Sequence, residues 1–173
     1  MQIHRFLLCL VVMVATGCSG PKDIQVRDDS AASTAEKEAL IHQLLDLIDE
    51  RKLDAAFQLY AEDYIYHGPG GQELRGRDGI RGLWDVYLTG FPDLSSTVED
   101  MISQGDKLVL RWIIRGTHTG EFLGVPASNR KITLPITEIF RIADGQFVEA
   151  WDQYDRMTVM QQIGAIAESS PVD

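Results

Sequence analysis

Two carboxylates in the C-terminal half of the chain stand where charge is costly. Along Ile132 to Ile142, alternate positions put Ile132, Leu134, Ile136, Glu138, Phe140 and Ile142 on one side, with Glu138 the only charge in the row. A solvated face would scatter several charges. A lone carboxylate in an apolar row is partly desolvated, and its pKa rises unless a cation compensates. Asp152 closes the following strand run, Phe147 to Tyr154. Two carboxyls on one wall release their protons unequally, one early and one late, as general acid–base catalysis requires. The competing role for Asp152 is a structural ion pair with Arg111, Arg141 or Arg156. His118 ends a third row, Leu108, Leu110, Trp112, Ile114 and Gly116, and there it is either a hydrogen-bonded wall residue or a further catalytic group.

Whether Glu138 and Asp152 meet depends on the turn at Ala143-Asp144-Gly145. A two-residue loop at Asp144-Gly145 pairs Glu138 with Trp151 and sends Asp152 to the opposite face. A three-residue loop, a type I turn with Gly145 left-handed, pairs Phe140 with Val148 and Glu138 with Ala150. The second register matches apolar with apolar and is the one expected. It brings Asp152 opposite Ile136, on the face of Glu138 and roughly 7 Å away diagonally. The rings of Trp112 and Phe140 are then expected inside the pocket. Tyr64 and His67, from the aromatic segment Asp63-Tyr64-Ile65-Tyr66-His67, are the further candidates for substrate binding.

The elements that carry these residues are legible from periodicity. Ser33-Thr34-Ala35-Glu36 forms a capping box, and Leu40, Ile41, Leu44, Leu45 and Ile48 follow at helical spacing, predicting a helix from about Thr34 to Arg51. A shorter helix is expected over Leu53 to Tyr60. Gly68-Pro69-Gly70-Gly71 reads as a turn, because it lacks the Lys-Ser/Thr of a phosphate loop. Ile80, Leu83, Trp84, Tyr87 and Leu88 give a third helix, stopped at Gly90 and Pro92. Strands follow at Val98 to Gln104, Leu108 to Thr117, Ile132 to Ile142 and Phe147 to Tyr154, then a short helix from Arg156 to Ile163. Helices first and an antiparallel meander after make an α+β domain, with the N-terminal helices packed on one face of a curved sheet.

The N-terminus reads as a leader. Arg5 precedes the apolar run Phe6 to Ala15, far shorter than the roughly 20 residues of a membrane span. It ends in Ala15-Thr16-Gly17-Cys18, which resembles the lipobox of bacterial lipoproteins, with Cys18 the lipidated residue. Residues 1–17 are then a signal peptide, 18–33 a tether, 34–166 the folded domain and 167–173 a tail. This implies a location in the cell envelope, anchored through lipid and facing the periplasm, and Ser19 after the cysteine resembles lipoproteins sent to the outer membrane. The net charge of -10, without a basic stretch, argues against nucleic-acid binding and against direct contact with anionic lipid.

Several motifs, in order, resemble the SnoaL-like polyketide cyclases, or ester cyclases, of the nuclear transport factor 2-like superfamily. They are Tyr60-Ala61-Glu62-Asp63 with His67, Phe91-Pro92-Asp93-Leu94, Gly116-Thr117-His118-Thr119-Gly120, Phe140-Arg141-Ile142-Ala143-Asp144-Gly145 and Glu149-Ala150-Trp151-Asp152. The resemblance spans about Ala39 to Gly164. It implies a cone-shaped α+β barrel closed at one end by helices, commonly a homodimer built on the sheet. It also implies ring closure by intramolecular aldol condensation with no metal or cofactor, Asp152 matching the acid–base aspartate. Where the cyclases carry a histidine partner, this sequence has Glu138.

Three uses fit these residues: proton-transfer catalysis on a small apolar carbonyl compound, tethered binding of such a ligand without turnover, and hydrolysis by a carboxylate-activated water. Metal catalysis is not expected, since His42, His67 and His118 lie at no recognisable ligand spacing. Nor does the sequence hold a nucleophile elbow or a fingerprint for haem, flavin or nicotinamide.

Overall fold

The computed structural model describes residues 32–167. The leader, the tether up to Ala31, Cys18 and the tail beyond residue 167 lie outside the described residues. The elements are α1 (Thr34–Asp49), α2 (Leu53–Phe57), β1 (Tyr60–Gly68), a 3-10 turn (Pro69–Gly71), β2 (Gln72–Arg75), α3 (Gly76–Gly90), β3 (Ser95–Gln104), β4 (Lys107–Thr117), β5 (Lys131–Ala143), β6 (Gln146–Tyr154) and α4 (Arg156–Gln162). No helix among them is long and apolar enough to cross a membrane.

Helix α1 starts as its sequence requires. Ser33 Oγ accepts from the Glu36 amide at 3.3 Å, and Glu36 Oε2 accepts from the Ser33 amide at 2.7 Å, so two orphan donors are satisfied reciprocally. Its stripe of Ile41, Leu44, Leu45 and Ile48 is buried. Its C-terminal end is fastened by Arg51, whose guanidinium donates to the carbonyls of Ile48, Pro92 and Leu94. At the other end the buried Lys37 Nζ donates to Gly105 O in the β3–β4 turn at 2.5 Å.

Six strands form one unclosed curved sheet in the order β2-β1-β6-β5-β4-β3. Four of its five strand pairings are antiparallel, but β1 pairs with β6 in parallel, Tyr66 opposite Ala150 and His67 opposite Trp151. The antiparallel meander expected from the strand pattern forms as β3 to β6, and β1 joins its β6 edge in parallel. Helix α3 and four strands separate β1 from β6, enough chain for a crossover, and alternation within a strand carries no mark of its partner's direction. The helices pack on the concave face, against Leu110, Trp112 and Ile114 of β4, Ile136 and Phe140 of β5, and Phe147 and Ala150 of β6.

The β5–β6 hairpin departs from the expected register in an instructive way. Asp144 and Gly145 adopt φ of 50° and 71°, the two left-handed positions of a two-residue type I′ turn, and Ala143 pairs with Gln146. The extra residue lies not in the turn but within β6. Ile142 pairs with Phe147 and Arg141 with Glu149, leaving Val148 as a bulge. The bulge switches parity: Phe147 points inward before it, and Ala150 and Asp152 point inward after it. Phe140 therefore pairs with Ala150 rather than Val148, and Asp152 stands directly opposite Glu138 rather than Ile136.

Candidate active site

The concave face and the helices enclose a narrow cavity with about 590 Å³ of empty space counted out to its open mouth. Its walls are mainly aliphatic and aromatic, and Glu138 and Asp152 both face it. The two carboxyls occupy facing positions on adjacent strands, where Cβ atoms stand about 4.5–5.5 Å apart. Both residues are buried, at 7 % and 6 % exposure, and among the described residues no Lys, Arg or His lines the cavity with them.

That environment fixes their titration. Glu138, flanked by Leu110 and Asp152, is held far above the ordinary carboxyl range, chiefly by burial and secondly by the charge of Asp152. Asp152 is pushed up to about 6 by burial, against the opposing pull of the Tyr66 hydroxyl and the Gln153 amide. The two carboxyls therefore release their protons unequally, Glu138 holding its own to higher pH than Asp152. This is how two carboxyls can act as acid and base at one pH.

Tyr66 orients Asp152. Its hydroxyl donates to Asp152 Oδ2 at 2.7 Å, which leaves Oδ1 buried without a partner. The ring fits only because residue 68 is glycine: a Cβ there would lie 2.6 Å from Tyr66 Cε1. A second buried polar atom without a partner, the Trp112 indole N–H, belongs to another wall residue. One orphan acceptor and one orphan donor on apolar walls are groups that a ligand could satisfy.

The structure brings together some of the sequence candidates and not others. Trp112 and Phe140 line the cavity beside Glu138 and Asp152, as expected. His118 does not reach it. It is fully buried past the end of the cavity row, with Nδ1 accepting from the Ser128 amide and 3.0 Å from Ser128 Oγ, and with its ring 5.3 Å from that of Phe91. Tyr64 lies behind the wall, edge-on to Tyr60 at 4.7 Å. His67 is on the outer face of the sheet, 2.9 Å from Glu149 and stacked at 5.5 Å on Trp151. Glu149 also takes the Arg141 Nε donor, and these contacts hold its carboxyl below the usual range. Asp152 has none of the arginine partners that the structural reading required; among the described residues Arg111 pairs with Glu99 and Arg141 with Glu149.

Tyr66 was missed, although its parity is that of Tyr64 and opposite to that of His67. Tyr60, Trp84, Tyr87 and Tyr154 also line the cavity. Trp84 and Tyr87 belong to the predicted stripe of α3, but nothing local shows that this stripe covers the open face of the sheet. Among the described residues no three His, Cys, Asp or Glu side chains converge in a way that could hold a metal ion.

Residues 38–163 match the family model described as SnoaL-like polyketide cyclase. No curated protein matches the chain. Among solved structures, AclR, a proposed hydroxylase from Streptomyces galilaeus, superposes with a TM-score of 0.72 at 25 % identity, over 80 % of this chain and 87 % of its own. IdmH, a proposed polyketide cyclase from Streptomyces antibioticus, is 32 % identical with a TM-score of 0.65, over 73 % of this chain and 97 % of its own. A proposed SnoaL-like polyketide cyclase from Jannaschia sp. CCS1 is 26 % identical with a TM-score of 0.71, over 78 % and 97 %.

Proposed function

The chain belongs to the SnoaL-like polyketide cyclase family, and from that premise we propose that it is a cyclase- or isomerase-type enzyme working by proton transfer on a small apolar carbonyl compound. The observation that carries this reading is the facing pair Glu138 and Asp152 on an apolar wall, with Tyr66 fixing one carboxylate oxygen of Asp152. Asp152 Oδ1 takes a proton from the carbon next to the carbonyl, and the electron pair of that C–H bond moves onto the carbonyl oxygen. Glu138, still protonated, donates a hydrogen bond to that oxygen as its charge grows. Burial keeps the donor neutral, so it does not repel the enolate as an ionised glutamate would. The enolate carbon then closes a ring on a second carbonyl or is reprotonated at another position, and Asp152 returns the proton. Most of the acceleration comes from positioning and the exclusion of water.

The test is deuterium exchange at the carbon next to the carbonyl in aryl methyl ketones, followed by proton NMR in heavy water. Wild type should accelerate the exchange and Asp152→Asn should abolish it. A ketone that binds without exchanging would instead make the protein a tethered binding protein. The homodimer and the envelope location belong to the same proposal. Dimerisation through the sheet is supported by the half-buried outer row of Val109, Ile139 and Trp151, and sedimentation of the domain measures it. The anchor rests on Cys18.

A further inference from the structure

A second concavity runs beside the cavity. It is a groove of about 760 Å³, counted into open solvent, with Leu74, Val86, Phe122 and Leu123 among its walls. The two spaces share Leu83, Tyr87 and Tyr154, so whatever leaves the cavity past those side chains meets the groove. They differ in whether a cation is present. The cavity is lined by two carboxyls and no cation, whereas Arg156, in the groove, is the one cation among the described residues lining either space. Arg156 is exposed at the start of α4, and its guanidinium donates to Gln72 Oε1 at 3.1 Å. Gln72 Oε1 and the Tyr66 hydroxyl both crowd the open side of Gly68, at 3.2 and 3.1 Å from where a Cβ would be. The Arg156–Gln72 pair thus sits beside the phenol that orients Asp152. Asp78 also borders the groove, but it is exposed and forms no ion pair with Arg156 within 4.0 Å.

We propose that the ligand has two ends: an apolar, carbonyl-bearing part that enters the cavity, and a carboxylate that stays in the groove on Arg156. This rests on the proton-transfer reading of the cavity and adds to it a ligand class and an orientation. The exclusion is electrostatic. A carboxylate entering the cavity would lose its hydration and face Glu138 and Asp152 with no cation to compensate. In the groove, the planar guanidinium fork can pair with both carboxylate oxygens while the rest of the ligand runs past Tyr87 and Tyr154. Arg156 is then a specificity-determining residue, which keeps the acidic end of the ligand out and so delivers the other end to Asp152.

The probes are 5-oxo-5-phenylpentanoate and its methyl ester, which share an aryl ketone and differ in charge, titrated calorimetrically into the full chain. Wild type should bind the acid about tenfold more tightly than the ester, the order of one charge-assisted pair. Arg156→Gln should remove that preference and leave ester binding unchanged, and Arg156→Lys should restore part of it. Thermal melts check that the variants are folded. Equal binding of acid and ester to wild type, or a preference that survives in Arg156→Gln, overturns the role of Arg156 while leaving the cavity reading intact. Failure of both probes to bind overturns the cavity reading and this inference with it.

Discussion

Replacing Asp152 with Asn should stabilise the protein, and by an amount that depends on pH. The side chain is 6 % exposed, and burial lifts its carboxyl from an ordinary 3.8 up to about 6. At about 1.4 kcal/mol per pKa unit, the folded protein disfavours the ionised form by about 3 kcal/mol. Because the folded-state pKa is raised, proton uptake favours folding. The contribution is fully present below pH 3.8 and is lost as pH rises through about 6. Asn has the size of the neutral acid, its amide oxygen can still accept from the Tyr66 hydroxyl, and it never ionises. Wild type and Asp152→Asn should therefore melt nearly together at pH 4 and below and separate between pH 4 and 6, the variant's advantage levelling off above that at about 1–3 kcal/mol, the lower figure allowing for imperfect accommodation of the amide. In a domain of this size that is several degrees in Tm. Denaturant titrations and thermal melts between pH 4 and 8 measure it, and the same samples should show no ketone exchange. A variant less stable than wild type at pH 8, with exchange per folded molecule intact, would show that Asp152 is kept for structure, and the acid–base assignment would fall.

Tyr66→Phe removes a hydrogen bond that pulls the Asp152 pKa down, so the acid limb of the pH–rate profile should move to higher pH, at a stability cost of about 1 kcal/mol. Gly68→Ala should mimic it, because the new Cβ displaces the Tyr66 ring; a double variant whose profile shifts by the sum of the two would argue that they act separately. Trp112→Ala should cost about 3–5 kcal/mol, read from denaturant midpoints, since it empties the middle of a buried row. In a lipoprotein-processing host, Cys18→Ala should abolish labelling by a fatty-acid probe, and labelling that persists would remove the basis for the envelope location.

Local pattern determined the parts of this protein that depend on near neighbours in the chain. The capping box at Ser33 and Glu36, the stripe of α1, the strand runs and the inward face of β4 and β5 all follow from periods of 3.6 and 2, so Glu138 could be placed on the inner wall from its row alone. Asp152 could not be placed in that way. Its inward orientation depends on a bulge at Val148, and one residue more or less in β6 would turn it to solvent. Apolar matching assigns the extra residue to the turn and so places Asp152 on the correct face, although Asp144-Gly145 is the preferred pair of the two-residue turn that forms. Tyr66 and His67 show the same limit. Neighbours in an aromatic segment, they diverge to opposite faces, and only the parallel pairing of β1 with β6 brings Tyr66 to Asp152 and His67 to Trp151. Periodicity fixes which side chains share a face. Which faces meet is decided by pairing between strands far apart in the chain, and there the packing of the whole sheet against its helices selects among registers that local sequence leaves nearly equal.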